Sequence, residues 1–272
     1  MMASMRQLAR EAERVVTAKI AEDFGHAVAV SGLGAATACF GRTTVTRLAA
    51  LPMHRAYNKA RGFTIDDVEH LPAVCAFFIE AGIPPLIEVW AGDTSAVLER
   101  RLTDAGFHPA DINVTLQTEP GQSTSPTTEN HHSIELREIA TSDDDTVYLD
   151  TLFRGYGLHN EPTSTQQTMM AIEHRTPHLR RYLAYVEDQP AAAAALYTTP
   201  DGAYLAGAAT VPTMRNRGCQ GALIKRRLHD AATAHRIVVT TASGSPSQAN
   251  LIRHGFHIVH TRTLWRQPTE TE

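Results

Sequence analysis

Arg215, Arg217, Gly218, Gln220, Gly221 and Ala222 stand between an apolar stretch of small residues and a helical pattern. The stretch Ala203–Val211 reads as a strand, and Gly218 opens a helix running to about His235. A strand-to-helix turn presents unpaired backbone N–H groups and the positive end of a helix dipole to an anion. The two arginines add fixed charge in a fork that matches phosphate oxygens. Singly they are solvated surface charges, but beside a glycine at such a turn they favour phosphate contact. The chemistry these residues suit is the holding of a phosphate or pyrophosphate. Cys219 inside the turn invites a nucleophile reading, because helix N-termini lower a thiol pKa. No base partner for it is visible. Ser243, Ser245 and Ser247 lack a nucleophile-elbow context.

Other groups carry weaker signals. There are 14 histidines, yet no His-Glu-x-x-His and no helical His pair at ligand spacing with a carboxylate, so no metal is expected. His131-His132 falls in a polar linker. Gly32-Leu33-Gly34 lacks the third glycine of a dinucleotide fingerprint, and the next segment is β-like.

These residues need elements to position them. Residues 134–139 read as a strand, followed by a helix from Ser142 or Asp143 to Arg154 and a second helix over 165–175. Three strands at 179–186, 191–197 and 203–210 are separated by the turns Glu187-Asp188-Gln189-Pro190 and Pro200-Asp201-Gly202. After the helix from Gly218 come a buried strand at 237–241, a helix at 245–254, Gly255-Phe256, and a strand to Trp265. The first part reads as a helix at 4–22, strands near 26–31, 35–40 and 43–48, a helix at 66–81, a strand at 86–90, a helix at 94–105 and a strand at 107–117.

Arg215-x-x-Gly218-x-Gln220-x-Ala222 resembles motif A of the GNAT acyl-CoA N-acyltransferases, with Gln220 where the family usually carries glycine. Residues 236–266, with their terminal Gly255-Phe256, resemble motif B of that family. The resemblance is strong over roughly 134–266 and weaker before it. It implies an α/β (α+β) GNAT fold with mixed, mostly antiparallel sheets flanked by helices. It also implies transfer of an acyl group from acetyl-CoA to an amine. Ala209, Thr210, Val211, Arg215, Arg217, Gly218, Cys219, Gln220, Gly221, Ala222 and Asn250 would bind the cofactor. The family has an apolar, core-facing residue at the position of Cys219. A backbone N–H near the strand before motif A would polarise the thioester.

The family often carries a tyrosine four residues before the glycine of Gly-Phe, and Leu251 stands there. Asn250, Ser247 or a water would then protonate the thiolate, or CoA leaves as thiolate. The strand 203–210 carries no carboxylate, so Tyr204, Tyr197 or Glu161 acting through water are the candidates for deprotonating the amine. Tyr156, His159 and Glu161 lie between the first two helices of the second part, which in this fold border the acceptor site. A direct attack in a ternary complex is expected.

The echo of Val89–Asp93 and Ala105–His108 in Thr240–Gly244 and His254–His257 suggests a tandem GNAT arrangement. Its boundaries would be 1–118, a linker at 119–133 rich in Pro, Ser and Thr, and 134–272. In the first half Gly62–Asp67 has no Arg-x-x-Gly and places Asp66 and Asp67 at a helix start. Carboxylates there cap a helix but repel a pyrophosphate, so the first half is read as degenerate.

A net charge of −4 argues against a general nucleic-acid binder. Three cysteines without a CxxC pair fit a reducing compartment, and no apolar run reaches transmembrane length, so a cytoplasmic protein without membrane association is expected. The expected partner is a small-molecule amine, and the assembly a monomer or homodimer. A catalytically silent acyl-CoA-binding sensor or scaffold is the competing function, favoured by the missing tyrosine and strand carboxylate.

Overall fold

The computed structural model describes residues 4–120, 134–139, 145–158 and 163–268. The helices are α1 (Met5–Ala27), α2 (Leu71–Ile79), α3 (Ala96–Asp104), α4 (Asp145–Gly155), α5 (Ser164–Arg175), α6 (Cys219–Asp230) and α7 (Pro246–Arg253). The strands are β1 (Ala35–Phe40), β2 (Thr43–Leu48), β3 (Lys59–Arg61), β4 (Leu86–Trp90), β5 (His108–Thr118) and β6 (Ile134–Ile139). They continue with β7 (Leu179–Val186), β8 (Gln189–Thr199), β9 (Gly202–Tyr204), β10 (Ala208–Thr210), β11 (Ile237–Ala242) and β12 (His257–Arg266).

Two compact units result. One holds the described residues of Met1–Glu13, Ile20–Thr115 and Ile258–Glu272; the other holds those of Arg14–Lys19 and Leu116–His257. The last strand therefore does not stay with the 134–272 segment. β12 pairs antiparallel with β4, with Arg262 opposite Trp90 and Arg266 opposite Leu86. Of the linker expected at 119–133, residues 121–133 lie outside the described residues.

In the first unit the strands run β1-β2-β3-β4-β12-β5. The expected strand at 26–31 is instead the end of α1, which continues to Ala27, and a turn. The buried positions Ala9, Ala12, Val16, Phe24 and Ala27 keep helical spacing. The Val28-Ala29-Val30 alternation behind the strand reading is too short to compete. The helix expected at 66–81 begins as a 3-10 turn, Ile65–His70, before α2.

β3 was not legible, because its Lys59 and Arg61 look like surface residues. Both are buried. Lys59 Nζ lies 2.8 Å from a carboxylate oxygen of Glu88 on β4, which is fully buried. Trp90 Nε1 donates to the other oxygen at 2.9 Å. A second carboxylate, Glu13 of α1, accepts from Arg262 Nε at 2.8 Å and from Thr115 Oγ1 at 2.7 Å, with His260 Nε2 at 2.8 Å. A polar network thus runs through the middle of this sheet.

The second unit has the strand order β11-β9-β8-β7-β6. β8 is its centre, and Ala191–Ala195 are fully buried. Methyl-sized side chains let helices lie close on the sheet. α4 and α5 pack with it through Tyr148, Leu152, Phe153, Met170 and Leu183. A capping box starts α5: Thr163 Oγ1 accepts from the Gln166 N–H, and Gln166 accepts from the Thr163 N–H.

Candidate functional site

The segment expected as one strand over 203–210 is two pieces separated by a bulge. Tyr204 of β9 pairs with Tyr197, and Ala208 of β10 pairs with Ala194. Between them the single N–H of Ala195 is shared by the carbonyls of Ala206 and Gly207, at 3.1 and 2.9 Å. Two residues therefore oppose one, which kinks the strand. Gly207 has φ +38°, and a Cβ there would stand 2.6 Å from Cε1 of His174. Only glycine fits on both counts.

The kink parts two parallel strands. β11 is in register with β9 at Ile237–Ala203 and Val238–Tyr204, and Leu205 N–H donates to Val238 at 2.9 Å. β11 continues to Ala242, whereas β10 follows β8. Gly207 C=O and Val211 N–H face β8. Strand alternation then turns the N–H groups of Ala208 and Thr210 away from β8. Ala208 is exposed, and Ala209 and Thr210 are partly so. Tyr204 reaches across to β11, its hydroxyl 3.1 Å from Thr240 Oγ1.

From β10 the chain passes Val211 and the 3-10 turn Pro212–Met214 to Gly218, which caps α6 in the left-handed conformation with φ +86°. No side chain caps this helix start, and its first turn holds no acidic residue. The first helical bond comes from Ala222 N–H to Gly218 C=O, so the N–H groups just after Gly218 have no partner within the helix. Arg215 is exposed and Arg217 half-buried. Arg217 Nη1 stands 3.9 Å from Glu187, a pairing too loose and exposed to hold it firmly. Cys219 is buried, and burial pushes its thiol up despite the helix start and Arg217. Its side chain belongs to the core.

Gln220 leaves the turn toward α7. Asn250 Nδ2 donates to Gln220 Oε1 at 2.8 Å, and Gln220 Nε2 donates to Ser247 Oγ at 3.3 Å. Arg253 donates to Asn250 Oδ1 at 3.0 Å. A Cβ on Gly221 would stand 3.2 Å from His254, so α6 and α7 meet there closely. Asn250 thus ties α7 to the anion turn. Leu251 is buried.

On the other side of β10, Gly155 ends α4 directly over Ala209; a Cβ would meet the Ala209 side chain at 2.5 Å. Tyr156 follows, with 46% of its surface exposed. Its hydroxyl end nevertheless lies near the backbone of Ala208. Burial, with Glu173 and Tyr204 nearby, raises its ionisation well above the usual phenol range. His159 and Glu161 lie outside the described residues.

Sequence reasoning passed over Tyr148, Glu173 and His174. The Tyr148 hydroxyl sits 2.8 Å from His174 Nδ1, and both residues are buried. Burial, reinforced by Lys19 and Arg181, pushes His174 down to about 3. Nothing local marks a helical histidine as buried; only the bulge at Gly207 brings it to the strand. The sign is definite. A base with a lowered folded pKa contributes stability fully present above its unfolded value of 6.5, and lost as pH falls toward about 3. Going from pH 7 to pH 5 should remove about 2 kcal/mol through this group. Urea unfolding at the two pH values checks this, and His174→Gln should flatten the difference.

A GCN5-related N-acetyltransferase from Kribbella flavida superposes with a TM-score of 0.62 at 14% identity, covering 95% of this chain and 96% of that one. A tandem GNAT protein from the clavulanic acid biosynthesis pathway gives 0.59 at 12% identity, covering 92% and 89%.

The chain has the GNAT fold.

A functionally unknown conserved protein from Staphylococcus epidermidis shares it, with a TM-score of 0.62, 13% identity and coverage of 88% and 96%. No protein-family model and no curated protein matches the sequence. The GNAT fold extends over nearly the whole chain in the tandem comparison, although the halves differ at the helix start. In the first unit Asp67 is buried and accepts from Arg42 N–H at 2.9 Å, Thr43 Oγ1 at 2.9 Å and Thr64 Oγ1 at 3.0 Å. A buried carboxylate with three donors thus lies in this helix start, whereas no side chain caps α6 at Gly218. The Trp90 ring stands about 3 Å from where a Gly62 Cβ would be and covers that segment. Among the described residues no group of three His, Cys, Asp or Glu side chains is placed to hold a metal ion, and no helix is long and apolar enough to cross a membrane.

Proposed function

We propose that this protein transfers the acyl group of acetyl-CoA to the amine of a small molecule. The observation that carries the reading is the uncapped start of α6. Gly218, its neighbouring N–H groups and two arginines with no acidic residue in the first turn form a pyrophosphate seat. The parting of β10 from β11 supplies a groove beside it for the pantetheine arm, with the N–H groups of Ala208 and Thr210 along one wall. The acceptor amine would approach from the side of Tyr156.

The chemistry assigned to the protein is mostly placement. Neutral amine attacks the thioester carbonyl, a backbone N–H stabilises the developing oxyanion, the C–S bond breaks, and the thiolate takes a proton. Cys219 is unsuited to an acyl-enzyme route, since its thiol is buried and its pKa raised. Steady-state kinetics should give intersecting lines. Incubation with acetyl-CoA alone should leave the protein mass unchanged, and an acetyl adduct chased off by amine would overturn this route.

One acetyl-CoA per chain is expected, because Asp67 occupies the first unit's helix start. Calorimetry yielding a stoichiometry of two would refute that. Thiol release from acetyl-CoA against a panel of small amines tests the activity itself. The competing reading, a silent acyl-CoA-binding module, draws on buried Leu251 standing where a proton-donating tyrosine is often found. It predicts tight acetyl-CoA binding with no amine-dependent thiol release.

A further inference from the structure

His174 of α5 is held at one ring nitrogen and free at the other. The Tyr148 hydroxyl of α4 lies 2.8 Å from its Nδ1, and the two rings meet edge to face at 5.3 Å. Tyr148 is fully buried, and among the described residues its hydroxyl has no other hydrogen-bond partner. A buried phenol that failed to donate its proton would lose about 1–3 kcal/mol, so Tyr148 donates and Nδ1 accepts. Burial, with the cations Lys19 and Arg181 facing the ring, keeps the imidazole neutral. Its one N–H is therefore on Nε2.

The ring turns that edge to the bulge. A Cβ on Gly207 would stand 3.1 Å from Nε2 and 3.8 Å from Nδ1. Nε2 is neither bonded among the described residues nor sealed from solvent, in a residue with only 6% of its surface exposed. A donor left unpaired in so enclosed a place costs stability and points to a ligand that accepts from it. The next residue along the strand, Ala208, turns its own N–H away from β8. Two donors, one on a helix side chain and one on the strand backbone, thus flank Gly207.

We propose that His174 is a second oxyanion donor for acyl transfer: its Nε2–H and the Ala208 N–H take the two lone pairs of the thioester carbonyl oxygen, and Tyr148 fixes the tautomer that makes this possible. The proposal rests on the acyl-CoA reading above. The amine nitrogen attacks the carbonyl carbon, and the C=O π pair moves to the oxygen, where both N–H groups stabilise it. The pair then returns, the C–S bond breaks, and the sulfur leaves with its electrons. The proton of the attacking nitrogen passes through water to that thiolate. His174 itself transfers no proton. It would touch the reacting oxygen and is the catalytic residue; Tyr148 acts through it and is a positioning residue.

The test is NMR on the full chain with labelled imidazole nitrogens, and with acetyl-CoA labelled at its carbonyl carbon. In wild type the His174 proton should be found on Nε2. That N–H should move downfield when acetyl-CoA binds and not when CoA binds. The carbonyl carbon of bound acetyl-CoA should also move downfield of its free position. This shift should shrink in His174→Phe and in Tyr148→Phe, while calorimetric affinity for acetyl-CoA changes less than roughly 3-fold. With an amine that is active in the thiol-release panel, His174→Phe should cut kcat roughly 100-fold with KM little changed. A proton on Nδ1, or an N–H that answers CoA and acetyl-CoA alike, would overturn the proposal from wild type alone, whatever the variants do. A carbonyl shift equal in all three proteins, or an unchanged kcat, would overturn it as well. Each of these leaves the acyl-CoA reading intact. Wild-type protein that binds neither ligand in calorimetry would overturn the acyl-CoA reading and this proposal together. Matching thermal unfolding of the variants guards against a folding effect.

Discussion

Gly218→Val is expected to weaken acetyl-CoA binding by roughly 100-fold, about 3 kcal/mol. Two effects act at one atom. Gly218 holds φ +86°, a conformation a β-branched residue adopts only with strain of about 1–3 kcal/mol. Relaxing that strain swings the following N–H groups out of line. Those groups are the donors proposed for the pyrophosphate, and hydrogen bonds to a charged acceptor contribute about 1.5–3 kcal/mol each. The valine side chain would also keep a phosphate at a distance. Arg215→Ala is the milder companion. Arg215 is exposed, so the fold is untouched, and affinity should fall roughly tenfold at low salt and less at high salt. Calorimetry with acetyl-CoA on both variants decides the matter. Unchanged affinity in both would remove the pyrophosphate assignment.

Glu88→Gln should be the most destabilising single change, at about 3–5 kcal/mol and a drop in Tm on the order of 10 °C. Burial alone would raise the Glu88 carboxyl. The ammonium of Lys59 and the guanidiniums of Arg262 and Arg61 outweigh it and hold the carboxyl well below the usual carboxylate range. The amide takes away the negative charge but leaves those cations buried in the first unit's sheet. As a control, Asp111→Asn should change stability by less than about 1 kcal/mol, because its partner Arg55 is about half exposed in a surface pair. The pH dependence has a fixed sign. A carboxylate with a depressed folded pKa contributes stability fully present above its unfolded value of about 4.5, and lost as pH falls through the folded value. Wild type should therefore lose this contribution in strong acid and Glu88→Gln should not. Chemical unfolding of wild type and variant between pH 7 and pH 3 reads both effects. Equal stability at neutral pH would show that the network contributes nothing net.

The anion turn was legible in the sequence because its chemistry is local. Gly218, the flanking arginines and the apolar strand before them occupy consecutive positions, and a strand-to-helix turn is specified within about ten residues. The same holds for the strands at 35–40, 43–48, 86–90, 134–139 and 179–186, whose alternation or apolar runs set their positions. The absence of a basic turn before Asp66 and Asp67 was equally local. What α6 binds to on its flank was not. Asn250 and Gln220 are 30 residues apart, and either alone reads as an ordinary polar helix residue.

Tertiary structure decided the rest, for one recurring reason: the deciding partner lies far along the chain. β3 is a strand because Glu88 pairs with Lys59 across 29 residues. The bulge that splits 203–210 depends on which residues of β8 lie opposite, and composition does not encode that register. His174 is a buried neutral base only because Gly207 leaves room for its ring. Tyr156 looked like a loop residue facing an acceptor, whereas the seating of Gly155 on Ala209 sets it beside β10. The last strand carries a pattern that any sheet would accept, but its Arg262 is buried between Glu13 of α1, 249 residues away, and Glu88 of β4. Local sequence thus determined that a phosphate-seating turn exists, and long-range packing decided what surrounds it.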